Sequence, residues 1–299
     1  MRVYKGAIKL KLILLFIKEL RPKQWTKNLL VFAALIFTIP EITINMVYAA
    51  VAGFLLFSFV SGTVYILNDL VDLQLDRQHP TKKNRPMASG DLPPVVAVSA
   101  GSIILLTSLV TSYNLNIWFG LILTFYFFLN VAYSFYLKNV VIIDVMVIAT
   151  GFVLRAVGGA FVINVPMTPW FIICTMLLAL FLAISKRRHE LTLIEQAGGT
   201  KGDYRMVLDS YSTRLLDEMN SIVTTATIIS YALFTFTSGR TLNLMWTIPL
   251  VIYGIFRYLY LIHIENKGGQ PDEILLKDKP ILITVLLYTV LLILILMFF

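Results

Sequence analysis

Apolar stretches of roughly 17 to 23 residues recur along the whole chain, each long enough to cross a bilayer core of about 30 Å at 1.5 Å per residue. Nine are legible, at residues 28–44, 46–67, 95–113, 117–137, 140–162, 168–185, 222–238, 244–264 and 281–299. A hydrophobic share of 58% and a mean hydropathy of +0.80 lie well above those of a soluble domain, so water alone is not the solvent. The expected fold is all-α, a polytopic membrane bundle of about nine transmembrane helices. No repeat, low-complexity tract or long linker divides it, so residues 1–299 read as a single domain with a basic leader at 1–27. Within the leader, Lys9, Lys11 and Lys18 alternate with a short apolar run and no small-residue cleavage site follows. A helix on the inner membrane surface is expected there rather than a secretory signal.

Orientation follows from the cations, because Lys and Arg in short loops stay cytoplasmic. Of the 25 Lys and Arg, only Arg240 falls in a loop on the opposite side, and Arg155 and Arg257 lie inside spans. The amino terminus is therefore expected in the cytoplasm and, with an odd number of crossings, the carboxyl terminus outside. The net charge of +8 is explained by this topology and calls for no nucleic acid. Cys174 is the only cysteine and sits in an apolar span, which excludes disulfides and cysteine metal sites within the chain.

The densest chemistry stands at the cytoplasmic end of the second span, where Asn68, Asp69, Asp72 and Asp76 follow one another. On a continuous helix the three aspartates fall within an arc of about 60°. Like charges so close repel unless a cation bridges them, and an all-oxygen ligand set suits Mg²⁺, which completes its shell with water and substrate phosphates. The expected ligand is a Mg²⁺-bound diphosphate. A proline-bounded loop comes next, with Lys82, Lys83 and Arg85 available to phosphate oxygens, Arg85 in bidentate fashion. Taken alone these three would be topology charges; beside the carboxylates they form a site.

Further cations meet the same end. Lys186, Arg187 and Arg188 stand where the sixth span leaves the bilayer and cover most of a helix circumference, so at least one should face a central cavity. His189 beside them is assigned no role as a base. Ionisable residues within spans are costly and point to function. Asp144 and Arg155, eleven residues apart, differ by only about 20° around their helix. Arg155 and Arg257 could hold an anion arriving through the membrane, against the alternative of ion pairs or carbonyl hydrogen bonds between helices. Tyr133 and Lys138 close the fourth span near this cavity. Asp272, Glu273 and Asp278 in the last basic loop read as solvated charge rather than metal ligands.

These residues resemble the UbiA superfamily of membrane prenyltransferases, whose N-D-x-x-D-x-x-x-D signature is matched by Asn68, Asp69, Asp72 and Asp76. Within it the resemblance is closer to the decaprenyl-phosphate phosphoribosyltransferases. Residues 21–28, 79–86, 186–191 and 253–258 carry that resemblance over nearly the whole chain. Conventional members have a second aspartate-rich motif after the sixth span; here the Lys186 to Arg188 run stands in its place. The resemblance implies a transferase of the bacterial inner membrane that moves a 5-phosphoribosyl group from phosphoribosyl diphosphate to a polyprenyl phosphate, for cell-envelope glycan precursors. It implies Mg²⁺ on Asp69, Asp72 and Asp76, and substrate contacts from Lys23 and Lys27 beside the cations already named. A homo-oligomer is compatible with it. Two other readings remain open at this point: an ordinary prenyltransferase acting on an aromatic acceptor, and a transporter.

Overall fold

The computed structural model describes residues 2–78, 82–197, 206–239, 241–265, 274 and 277–299. The chain opens with α1 (Arg2–Glu19), continues through α2 (Ala33–Ile36), the long α3 (Ile44–Val71), α4 (Leu73–Gln78) and α5 (Pro86–Ser89), and then runs through α6 (Pro94–Leu115), α7 (Ile117–Phe135), α8 (Ile143–Val162) and α9 (Pro169–Ala197). Helices α10 (Thr213–Thr237), α11 (Ile248–His263) and α12 (Lys279–Phe298) complete it. Starts are written locally. Side chains of Thr43, Asn116, Ser212 and Asp278 accept from the backbone N–H groups that a first helical turn leaves unpaired, and prolines occupy the first turn of α6, α11 and α12.

Eight helices among the described residues are long and apolar enough to cross a membrane. The expected first span differs. Residues Pro22–Phe32 wind as a 3₁₀ helix, and only Ala33–Ile36 is α-helical before a turn with a cis Ile39–Pro40 bond. At about 2.0 Å per residue the 11 residues of this tighter winding extend roughly 22 Å, and α2 and the turn after it carry the chain onward. It does run the length of the bundle: Arg21 at its start meets Asp69 near the end of α3, and Phe37 beyond it packs edge-on against Phe171 and Phe234 at the start of α9 and the end of α10. Hydropathy reports length and apolarity, and is blind to helical pitch.

Helices α3 and α8 are the most enclosed. Phe57, Phe119, Leu123 and Tyr126 fill the core between α3, α7 and α8, and a second core joins α8 to α9 and α10 through Val145, Ala149, Ala183 and Ile184. The 3₁₀ segment presses on α8 so closely that a Cβ added at Gly159 would lie 2.1 Å from the Val31 carbonyl oxygen. Outward faces carry Leu, Ile, Phe and Trp in quantity, as lipid contact requires. The chain is a multi-pass membrane protein, and its alternating helices bring the basic loops to one end of the bundle, where Lys138 reaches Asp72 and Arg188 reaches Asp217.

Candidate active site

At that end α3 stops at Asp72, whose backbone leaves the helical region (φ −89°, ψ 8°), and α4 resumes at Leu73. The single acidic face expected of an unbroken helix is therefore divided. Asp69 and Asp76, both 2% exposed, converge on the Arg85 guanidinium: its Nη1 lies 2.8 Å from Asp69 Oδ1 and also donates to Asp76 Oδ2. Lys82 adds a contact to Asp76 at 3.7 Å. Asp72 turns aside, toward the Asn68 amide at 3.3 Å and Lys138 at 3.6 Å. The helix bend supplies the physical reason, together with cations arriving from two directions.

A residue that the sequence reading passed over completes the cluster. Arg21 donates to both oxygens of Asp69, at 2.6 Å for Oδ2, and its guanidinium stacks on the Tyr65 ring at 4.8 Å. Its backbone sits in the left-handed region (φ 52°, ψ 63°), disfavoured for any side chain with a Cβ, at the corner between α1 and the 3₁₀ segment. That corner also delivers Glu19. Its carboxyl group is 1% exposed and abuts the Asp69 carboxyl, with which it can share a proton; among the described residues no N–H or hydroxyl group donates to either of its oxygens. Burial first, then the neighbouring Asp69, pushes its pKa up to about 7. No pattern in the sequence marks Glu19, which follows Lys18 in an ordinary amphipathic helix.

These groups surround a cavity of about 430 Å³ lined by Lys18, Glu19, Arg21, Asp69, Lys82, Asn84, Arg85 and Pro86. A second, smaller cavity of about 130 Å³ lies among α3, α7 and α8; Lys27, Tyr65, Tyr126, Asn130, Tyr133 and Arg155 contribute to its wall. Tyr65 lines the second and carries Arg21 of the first, so the two are neighbours. Arg155 donates to Asn28 Oδ1, the Gly151 carbonyl and the Tyr126 hydroxyl at 2.7 to 2.8 Å, all neutral acceptors, and its charge faces the smaller cavity uncompensated by them.

Other expected site residues are placed elsewhere. Arg187, 2% exposed, is locked to Asp144 (2.8 Å) and Glu190 (2.5 Å), and Asp144 also accepts from the Tyr211 hydroxyl at 2.8 Å. It lines neither cavity. Arg188 pairs with Asp217, Lys186 with Glu190, and Arg257 with Asp278 and Glu265. Asp278, expected as solvated charge, caps α12 as well as holding Arg257. Lys23 and Lys83 are exposed. Residues 79–81, Asp272 and Glu273 lie outside the described residues.

Among the described residues no three carboxylate, imidazole or thiol groups converge as a finished metal cage. The donor set nevertheless fits Mg²⁺. Asp69, Asp72, Asp76 and Asn68 offer hard oxygens on successive turns, and a Mg²⁺ site is ordinarily completed by water and substrate phosphate rather than by protein alone. The cations now paired with these carboxylates are the groups that phosphate oxygens would attract.

Comparison with known proteins agrees with this architecture. Residues 28–273 match the UbiA prenyltransferase family. The decaprenyl-phosphate phosphoribosyltransferase of Mycolicibacterium smegmatis is 32% identical over 88% of this chain and 86% of its own length. That of Corynebacterium glutamicum is 31% identical over 88% and 81%. A UbiA homolog from Archaeoglobus fulgidus, solved with GPP and Mg²⁺, superposes with a TM-score of 0.71 at 20% identity, covering 94% of this chain and 99% of that one. By sequence and by fold, the chain belongs to the UbiA prenyltransferase family.

Proposed function

We propose that the protein transfers the 5-phosphoribosyl group of phosphoribosyl diphosphate to a polyprenyl phosphate at the cytoplasmic membrane face. The observation that carries the reading is the pairing of two adjoining cavities, one bearing buried carboxylates interlaced with Arg21, Lys82 and Arg85, the other holding the uncompensated Arg155 within the helices. The first suits the water-soluble donor. The second suits an anionic headgroup whose chain lies in the bilayer. The names of the Mycolicibacterium and Corynebacterium relatives support a phosphoribosyl group as the one transferred and a polyprenyl phosphate as its acceptor.

The chemistry follows from the residues. Arg21, Lys82 and Arg85 bind the leaving diphosphate as the bond from ribose C1 to its oxygen breaks and the electron pair departs with it. Asp69, Asp72 and Asp76 would hold Mg²⁺, which supplies charge neutralisation to the diphosphate. Lys27 and Arg155 orient the lipid phosphate oxygen that forms the new bond to C1. That oxygen is already anionic, so no general base is needed.

Purified protein in detergent is offered labelled phosphoribosyl diphosphate with polyprenyl phosphate, or a prenyl diphosphate with an aromatic acid. Only the first pair should yield labelled lipid and free diphosphate. EDTA should stop the reaction and excess Mg²⁺ restore it, and Asp72→Ala should abolish it with membrane insertion intact. Consumption of the second pair alone, or a fully active Asp72→Ala enzyme, would refute the assignment.

A further inference from the structure

Glu19 has no part in the reaction described above, yet it is placed as a binding residue would be. It is 1% exposed and lines the larger cavity. Among the described residues no N–H or hydroxyl group donates to either of its oxygens, and its one polar neighbour at hydrogen-bonding range is the Asp69 carboxyl, itself an acceptor. Its position is fixed: the next residue, Leu20, is buried against α3 at Gly62, where an added Cβ would come within 2.7 Å of the leucine, and Arg21 is anchored on Asp69. A buried acceptor without a donor is destabilising and calls for an explanation in the state that the protein uses.

We infer that Glu19 binds the ribose ring of the donor by accepting hydrogen bonds from its 2- and 3-hydroxyl groups. The inference rests on the proposed phosphoribosyl transfer and deepens it. Phosphoribosyl diphosphate is covered in phosphate oxygens, which at neutral pH are acceptors and match Arg21, Lys82 and Arg85. Its only strong hydrogen-bond donors are the two ring hydroxyls. A carboxyl group in the same cavity offers oxygens to those hydroxyls and none of the N–H donors that phosphate oxygens require, so it sorts the donor's sugar from its phosphates. A prenyl diphosphate has no hydroxyl to offer, and a site built for one would have no use for an acceptor here. Glu19 is thus a determinant of donor class.

The test measures KM for phosphoribosyl diphosphate, for its 2-deoxy and 3-deoxy forms, and inhibition by inorganic diphosphate with Mg²⁺, on the full-length protein and on Glu19→Ala and Glu19→Gln. A hydrogen bond to a charged group corresponds to roughly ten- to a hundredfold in affinity, so Glu19→Ala should raise the donor KM by about that factor, with Glu19→Gln, which keeps an acceptor, in between. On the wild-type protein at least one deoxy donor should show the same rise, and on Glu19→Ala that analogue should be no worse than the full donor. Inhibition by inorganic diphosphate should stay unchanged. An unchanged donor KM in both variants overturns the inference, as does a parallel loss of diphosphate inhibition, which would put Glu19 on the metal side. If Glu19→Ala does not fold, the deoxy donors and Glu19→Gln decide alone: wild-type protein indifferent to both missing hydroxyls refutes it. Wild-type protein that transfers nothing from phosphoribosyl diphosphate fails the proposed function itself, an outcome distinct from an active wild type whose Glu19 variants match it.

Discussion

Replacement of Arg187 by Met should destabilise the protein strongly rather than empty its active site. The guanidinium is 2% exposed, and its principal partner, Asp144, is fully buried at 2.8 Å. Among the described residues, removing the cation leaves Asp144 with only the Tyr211 hydroxyl, also at 2.8 Å, to stabilise a buried negative charge. Breaking one side of a buried ion pair costs about 3–5 kcal/mol, a large part of the 5–15 kcal/mol that typically separates folded from unfolded states. The reverse change, Asp144→Asn, should cost less, since Arg187 keeps Glu190 at 2.5 Å and that carboxylate is 31% exposed to solvent. Replacing both partners together, Asp144→Leu with Arg187→Met, should recover at least half of the loss, because an apolar pair of similar volume leaves no orphaned charge. The assay is thermal unfolding and monodisperse yield in detergent for the two single variants and the double variant, with donor KM measured on whatever folds. An Arg187→Met protein of wild-type stability but with lost donor binding would refute the structural role and return this arginine to the site.

Two further predictions follow from the geometry. Arg85→Lys should lower kcat/KM by roughly ten- to a hundredfold, since a single ammonium can take over the Nη1 contacts to Asp69 and Asp76 but has no second N–H group fixed in plane to grip a phosphate bidentately, and wild-type turnover in steady-state assay would contradict the phosphate role. Gly159→Ala should destabilise the protein by about 1–3 kcal/mol through collision with the Val31 backbone; a melting temperature equal to wild type would show that α8 and the 3₁₀ segment are free to separate.

Much of the architecture was legible from the order of residues. Runs of lipid-soluble side chains must become helices, because a hydrocarbon core offers no partner for an open backbone group, and eight of the nine expected spans have counterparts in long helices. The gathering of basic loops at one end was equally legible, since the bilayer forces each successive helix to reverse direction. The first crossing, expected as an α-helix over 28–44, was misread: residues up to Phe32 belong to the 3₁₀ helix Pro22–Phe32 and only Ala33–Ile36 is α-helical, and close packing beside Gly159 accompanies a tighter winding that no hydropathy pattern records.

The aspartate-rich segment, its basic neighbour loop and the cation within α8 could be read from residue type and spacing, because carboxylates crowded within two turns and a charge in hydrocarbon each carry a cost that demands a reason. Which charges meet was decided only by tertiary structure. Arg187 and Arg85 look alike in sequence, each in a basic run beside a span, yet one is sealed against Asp144 and the other opens on a cavity. Glu19 and Arg21 reach Asp69 across nearly fifty positions, through one left-handed residue at a helix corner. Local sequence sets the pitch and polarity of each segment; the pairing of faces depends on the closing of the whole bundle, and a charge becomes a ligand, a strut or a topology signal according to what that closure brings within about 3 Å of it.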